Sequence, residues 1–238
     1  MYDSPDIVKA EEAKLKLCGE RVYPLAEGAL YWPSENCLIV ADLHFEKGSS
    51  YAARGVHLPP YDTSATLTRL EELVARLKPA SVIALGDSFH DGEARARIAP
   101  VDAARIKNLT NACDWVWIAG NHDPLPEGFG GTIAAEVRRA SLTFRHEPAP
   151  APATGEVAGH LHPCAVVRVR GRRLRRRCFA SDGTRLILPA FGAYTGGLNV
   201  CDDAYSGLFA GRDFHAWMMG RDQVVPVAAG RLVPDRML

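Results

Sequence analysis

Short apolar runs that stop abruptly in polar residues dominate the first half of the chain. Residues 37–41, Ser81–Leu85 and residues 115–118 each have a β-branched or aromatic centre, the signature of a buried strand. They run into Asp42-Leu43-His44, Gly86-Asp87-Ser88-Phe89-His90-Asp91 and Gly120-Asn121-His122-Asp123 respectively. Between the first two, Leu67, Leu70, Leu73, Val74 and Leu77 recur at helical spacing. Asp62 or Thr63 is expected to cap that helix, and Pro79 to end it. A second helix is expected near residues 102–110, and short alternations over residues 20–32 predict a hairpin feeding the first buried strand. Alternating strands and helices, with polar residues at each strand's carboxyl end, predict βαβ units and a ligand site along that edge. Glycine before the second and third polar clusters lets the backbone turn sharply beneath a ligand.

Beyond Pro124 the texture changes to short strand-like alternations at residues 133–137, 141–144, Glu156–Ala158, 165–169 and 185–188. Pro148-Ala149-Pro150-Ala151-Pro152 reads as a stiff connector. Site-like residues lie on both sides of it, His146 before and Gly159-His160-Leu161-His162-Pro163 after, so it is not a domain boundary. A chain of 238 residues, 47% hydrophobic, suits one compact domain over residues 1–238. Lys+Arg and Asp+Glu both total 28, so net charge identifies no partner, although arginine is concentrated late in the chain. No apolar run approaches the length of a membrane span, and the acidic, polar N-terminus is unlike a signal peptide. Six scattered cysteines without a Cys-x-x-Cys pair fit buried free thiols. The expectation is a soluble cytoplasmic protein.

The polar clusters carry the chemistry. Asp42 and His44 stand two residues apart, and on an extended chain such residues point the same way. Asp87 and His90, Asn121 and His122, lone His146, and His160 with His162 complete the set. A single histidine is commonly structural, but this many donors at strand ends point to metal. Carboxylate, amide and imidazole without thiolate suit Mn²⁺, Fe²⁺ or Zn²⁺, with Mn²⁺ preferred. There are too many donors for one ion, and two ions bridged by one carboxylate divide them naturally. Such a pair brings about +4 against about −3 from two aspartates and a bridging hydroxide, so the site stays cationic and attracts an anion. Two divalent ions activate the bridging water and clamp an in-line displacement at phosphorus.

The order Asp-x-His, Gly-Asp-x-x-His, Gly-Asn-His-Asp, lone His and Gly-His-x-His, from Asp42 to His162, resembles the calcineurin-like metallophosphoesterase superfamily. The resemblance implies a four-layer α-β-β-α sandwich with a dinuclear centre between two sheets. It implies that Asp42, His44 and His162 bind one metal, that Asn121, His146 and His160 bind the other, and that Asp87 bridges. His122 would not ligate; it would stabilise the transition state or protonate the leaving oxygen. Many phosphoprotein phosphatases of the superfamily carry aspartate three residues after the bridging aspartate, orienting the catalytic histidine. This chain has His90 there, as in the nuclease branch, with Asp91 next door as a substitute carboxylate. Residues 41–44 with Lys47, 158–163 and 188–197 further resemble the bacterial ligase-associated DNA damage response endonucleases. That implies a DNA endonuclease acting in repair beside an ATP-dependent DNA ligase and a helicase, and those partners come from the resemblance alone.

Lys47 is a candidate phosphate contact, with a solvated surface lysine as the alternative. Arg168, Arg170, Arg172, Arg173, Arg175, Arg176 and Arg177 crowd a strand–Gly171 turn–strand. Arg168 and Arg170 share one face, as do Arg173, Arg175 and Arg177. The functional reading is a basic hairpin that grips nucleic-acid phosphates, and the other reading is a solvated edge that resists aggregation. No aromatic residue interleaves the arginines, so base stacking is not expected there. Two rivals to the nuclease remain open at this point: a small-molecule nucleotide phosphoesterase or pyrophosphatase, and a non-catalytic scaffold of the same fold. Every expected ligand position is filled, including His122, which argues against the scaffold. His57, His215 and Trp217-Met218-Met219 receive no role.

Overall fold

The apolar runs become the centre of a parallel sheet. In the computed structural model, residues 13–56, 58–123, 127–209 and 213–235 are described; the acidic N-terminal stretch, His57 and Pro124 lie outside them. The first sheet takes its strands in chain order: β1 (Leu15–Leu17), β2 (Glu20–Pro24), β3 (Leu30–Trp32), β4 (Cys37–Val40), β5 (Ser81–Leu85), β6 (Asp114–Ile118) and β7 (Thr132–Ala134). The antiparallel meander β1–β4 is the expected hairpin with one strand added, and β4 to β7 run parallel. Val40 pairs with Ala84 and Ala84 with Trp117, so β4, β5 and β6 finish together and release their polar tails at one edge.

The crossovers are helical: α1 (Lys47–Ala53) and α2 (Asp62–Leu77) after β4, α3 (Ala94–Arg97) and α4 (Pro100–Ala112) after β5. The second sheet contains β8 (Glu136–Arg139), β9 (Leu142–Arg145), β10 (Glu156–Ala158), β11 (Pro163–Val169), β12 (Arg172–Ser181), β13 (Arg185–Ile187), β14 (Leu198–Asn199), β15 (His215–Met219) and β16 (Val224–Ala228). Its spatial order is β14-β11-β12-β13-β10-β9-β8, with β15 paired to β12 and β16 to β15.

Side-chain alternation divides the core into layers. Leu38, Val40, Val82, Ala84 and Trp117 face Leu67, Leu70, Leu73 and Leu77 of α2 and Ile106 and Leu109 of α4. Ile39, Ala41, Ile83, Leu85 and Ile118 point the other way, onto Leu142, Phe144, Val157, Phe179, Leu186 and Leu188 of the second sheet. Burial on both faces explains why these strands read as continuous apolar runs. The outer face of the second sheet lies under Val200, Tyr205, Phe209, Phe214 and Leu232. The architecture is the expected α/β sandwich with two central sheets. Its outer cover on the second sheet is thin, with 3-10 turns at Asp203–Tyr205 and Ala229–Arg231 instead of long helices among the described residues.

One local expectation is corrected. Neither Asp62 nor Thr63 caps α2; Tyr61 holds the cap position without a side-chain bond. Asp62 Oδ2 instead accepts from Gly48 N at 2.9 Å, while Thr63 Oγ1 accepts from Glu46 N at 2.8 Å and donates to Glu46 Oε1 at 2.9 Å. These side chains have better partners across space, and they tie α2 to the loop that leaves β4. Pro79 does follow the end of the helix, after Lys78 in the left-handed region. Cys37, Cys164 and Cys178 are buried within strands. Among the described residues no helix is long and apolar enough to cross a membrane.

Phe144, fully buried with its ring 5.9 Å from that of Trp32, belongs to the layer between the sheets. Phe144→Ala is expected to cost about 3–5 kcal/mol. Urea denaturation checks this, and a loss below about 1 kcal/mol would mean the two sheets do not depend on that contact.

Candidate metal centre

The first pair of donors converges for a different reason than strand alternation. β4 ends at Val40, and both Asp42 (φ 53°) and His44 (φ 45°) lie in the left-handed region. Asp87 (φ 45°), His160 (φ 68°) and His162 (φ 46°) do so as well. L-residues pay a conformational cost there, and such positions gather at functional sites held by their surroundings. The surroundings are visible here. Beyond the strands, His44 N donates to Asp87 O (2.9 Å), Phe45 N to Ser88 O (2.8 Å) and His90 N to Phe45 O (2.9 Å), locking the loops after β4 and β5 together.

The two sheets contribute to one centre. Asp42, Asp87, Asn121 and His122 follow β4, β5 and β6, while His146 follows β9 and the His160/His162 pair joins β10 to β11. Two groups of donor atoms result, Asp42/His44/His162 and Asp87/His146/His160, each with its atoms within 4.8 Å of one another. His162 Nε2 lies 3.1 Å from Asp42 Oδ1 and 3.4 Å from His44 Nε2. His146 Nε2 lies 3.1 Å from His160 Nδ1, 2.9 Å from Asn121 Oδ1 and 3.4 Å from Asp87 Oδ1. Asp87 also reaches the first group, with Oδ2 3.9 Å from His44 Nε2. It is the carboxylate that stands between them.

Electrostatics at the centre follow from burial and crowding. Burial pushes His44 down to about 2, and the neighbouring His162 adds to the effect. Burial opposes ionisation of Asp87 too, but the hydrogen bond and charge of His146 outweigh it and hold the carboxyl below its ordinary value. His146 Nδ1 donates to the Leu85 carbonyl at 2.9 Å, which leaves Nε2 facing the other donors. Metal-ligating histidines are held in this way, by a backbone carbonyl on the nitrogen that does not ligate.

His122 is the exposed histidine beside the two donor groups. Its side chain is 44% exposed, with Nε2 4.0 Å from Asp87 Oδ2. Nδ1 donates to the backbone carbonyl of His90 at 3.0 Å, and the two imidazoles stack at 5.4 Å and 16°. The alternative carboxylate orienter is corrected. Asp91 Oδ1 accepts from Arg97 at 2.6 Å and from Glu93 N at 3.0 Å, so its charge is committed to a cation and a loop amide. Lys47 opens α1, half-buried and lowered from its ordinary value first by burial. Its charge is felt by both His44 and His90.

The arginine run divides by face. Arg177 donates to the carbonyls of Ala190 (3.0 Å), Gly192 (3.1 Å) and Thr195 (2.7 Å). Arg175 donates to the Gly197 carbonyl at 2.5 Å, and Arg173 to that of Pro234. This face therefore works as a latch on the chain itself, whereas Arg168 and Arg170 are exposed near the hairpin tip. The latched segment backs the metal centre: Phe191 N donates to Ala41 O (2.8 Å) and Gly192 N to Asp42 O (3.0 Å).

Asp123 is a supporting residue that spacing alone does not mark. It is buried, accepts from Phe89 N at 2.9 Å, and is pushed up to about 7 chiefly by burial. It fastens the loop after β6 to the loop after β5. Only its place in the Gly-Asn-His-Asp motif draws attention to it.

The donor set fits divalent metal. Ligands bound to one ion at about 2.1 Å lie about 3.0–3.4 Å apart, and the Asp42–His162, His44–His162 and His146–His160 separations all fall there. A sequence model of the calcineurin-like phosphoesterase family matches residues 36–181. Among solved structures, the chain is similar to the nuclease MPE of Pseudomonas putida, with 32% identity, a TM-score of 0.70, and coverage of 91% of this chain and 100% of that one. Yfce, a phosphoesterase from E. coli, matches at 15% identity over 81% of this chain and 98% of its own, with a TM-score of 0.39, too slight a likeness to argue from. No curated protein matches the sequence. With its motifs inside the matched span and its donors gathered at one edge, the chain belongs to the calcineurin-like phosphoesterase family and is a metal-dependent phosphoesterase.

Proposed function

We propose that the protein is a dinuclear phosphodiesterase that cleaves nucleic acid, with DNA as substrate and Mn²⁺ as the native ion. The observation that carries this reading is His122, exposed beside two largely buried donor groups and oriented by a main-chain carbonyl. Similarity to the P. putida nuclease over nine-tenths of the chain supports nucleic acid as the polymer. Oxygen and imidazole donors without thiolate support a borderline-to-hard ion such as Mn²⁺.

In this reading Asp42, His44 and His162 would hold one ion and Asn121, His146 and His160 the other, with Asp87 placed to serve both. When bound, two divalent ions supply an activated water and offset the charge of the phosphate. The chain's own residues do the rest. His122 donates a hydrogen bond from Nδ1 to the His90 carbonyl, so Nε2 is the nitrogen turned to a phosphate oxygen and, in the protonated ring, the one that gives a proton to the leaving oxygen. His90 is a positioning residue, through its carbonyl and its stacked ring. Lys47 adds positive charge on the side of His44 and His90, where it favours an incoming phosphate. Exposed Arg168 and Arg170 suit sequence-independent backbone contact farther out.

Endonucleolytic cleavage in DNA repair is the finer form of this proposal and rests on the motif resemblance. No surface is assigned to a ligase or helicase. Circular single-stranded DNA with Mn²⁺ tests it: linear products that are absent with Asp87→Asn are expected, whereas intact circles beside degraded linear DNA would replace endo- with exonuclease action. Intact DNA of both kinds would remove the nuclease reading.

His122→Ala is expected to lower kcat by about 100- to 10,000-fold while two metal equivalents per chain are retained by elemental analysis. A loss of metal together with activity would instead make His122 a ligand. Chelation is expected to abolish cleavage and lower the thermal midpoint. Mn²⁺ at 100 times its Kd should restore about 2.7 kcal/mol of stability. An unchanged midpoint on adding Mn²⁺ would contradict the assigned donor sites.

A further inference from the structure

A groove of about 320 Å³ lies against Asn121 and His146, two of the candidate donors. Small Ala119, Gly120 and exposed Ala135 line it together with polar Glu136, Arg145 and Glu147. Its charges are largely committed to one another. Arg145 pairs with Glu136 at 2.6 Å, Arg138 approaches Glu136 at 3.4 Å, and Arg145 Nε lies 3.7 Å from Glu156, which is itself held by Arg185 at 2.6 Å. Glu147 is an exposed carboxylate of this lining, beside a guanidinium whose charge Glu136 already offsets.

That chemistry disfavours a second phosphate and favours a neutral group rich in hydrogen-bonding atoms. Sites of a few hundred cubic ångströms hold small organic groups. A phosphodiester carries two organic arms on its phosphorus. One leaves; the other must lie against the metal centre throughout the reaction.

We propose that this groove is a nucleoside subsite, holding the sugar and base attached to the scissile phosphate on the arm that does not leave. The inference rests on the phosphodiesterase reading above. Glu136 and Glu147 accept from base N–H groups, and Arg145 donates to base carbonyls. Its energetic role is to orient the phosphate by holding a remote part of the substrate. The subsite thereby favours nucleotide diesters over simple aryl phosphodiesters.

Two substrates with the same leaving group test it: bis(p-nitrophenyl) phosphate and the p-nitrophenyl ester of thymidine 5′-monophosphate, each with Mn²⁺-loaded protein. The nucleotide ester is expected to show at least a tenfold lower KM. Ala135→Trp, which fills the groove from an exposed position, should reduce the ratio of the two kcat/KM values at least tenfold, and Glu147→Ala should reduce it in the same direction. Equal KM values, or variants that leave the ratio unchanged, would overturn the subsite while leaving the phosphodiesterase intact. If neither ester turns over, the circular-DNA assay alone decides the phosphodiesterase reading, and calorimetry with thymidine 5′-monophosphate against inorganic phosphate decides the groove. Tighter binding of the nucleotide, weakened by Ala135→Trp, would support it; equal affinities would overturn it.

Discussion

A carboxylate with no exposure to water holds the two sheets together at the site. Asp42 leaves the first sheet, and its oxygens accept from His160 N, at the start of the second sheet's ligand loop, at 3.0 and 3.2 Å. An ionised carboxylate in such a place is costly unless it is hydrogen-bonded or bound to a cation. The backbone amide meets part of that demand, and His162 Nε2 at 3.1 Å marks where a metal would meet the rest. The approach is so close that a Cβ on Gly159 would lie 2.6 Å from Asp42 Oδ2. Only glycine allows the two loops to share this carboxylate.

Around that contact the chain accepts strain at one residue after another. Asp42, His44, Asp87, His160 and His162 all sit at positive φ, so the D-x-H and H-x-H pairs reach convergence by the same backbone device on opposite sheets. Such conformations persist because neighbours over-determine them. The loops after β4 and β5 bond to each other, Asp123 clamps the loop after β6, and the 190–197 segment backs Asp42 under the latch of Arg177. Thr63 and Asp62 fasten α2 onto the same loop from the helical side. Stability and site geometry are in this way one problem: the residues that brace the loops are also those that aim the donors.

The surroundings of His122 show the same division between side chain and main chain. His122 is oriented by a carbonyl, so the identity of residue 90 matters less for that bond than the path of its backbone. What fixes the path is the bond from His90 N to Phe45 O and the engagement of Asp91 with Arg97. A residue that resembles a catalytic carboxylate by position thus acts two steps away, by anchoring the loop on which the orienting carbonyl sits.

The sequence by itself determined the buried strands, the helix over α2, the order of the donors and their chemical class. These are local properties: an apolar run must be buried, and a polar cluster after it must emerge at a strand end. It also marked all the donors that the structure gathers. Tertiary structure decided what each polar side chain is used for. Asp62 and Thr63 had the right residue types for a cap, but found partners across space; Asp91 lay beside the right motif, but met Arg97; Arg173, Arg175 and Arg177 alternate as a binding face would, but are consumed by carbonyls of neighbouring segments. The convergence of Asp42 and His44 depended on left-handed backbone that no local pattern encodes. Hydrophobic burial can be read one residue at a time, whereas a hydrogen-bonding group shows its role only when its partner, distant in sequence, has been brought beside it.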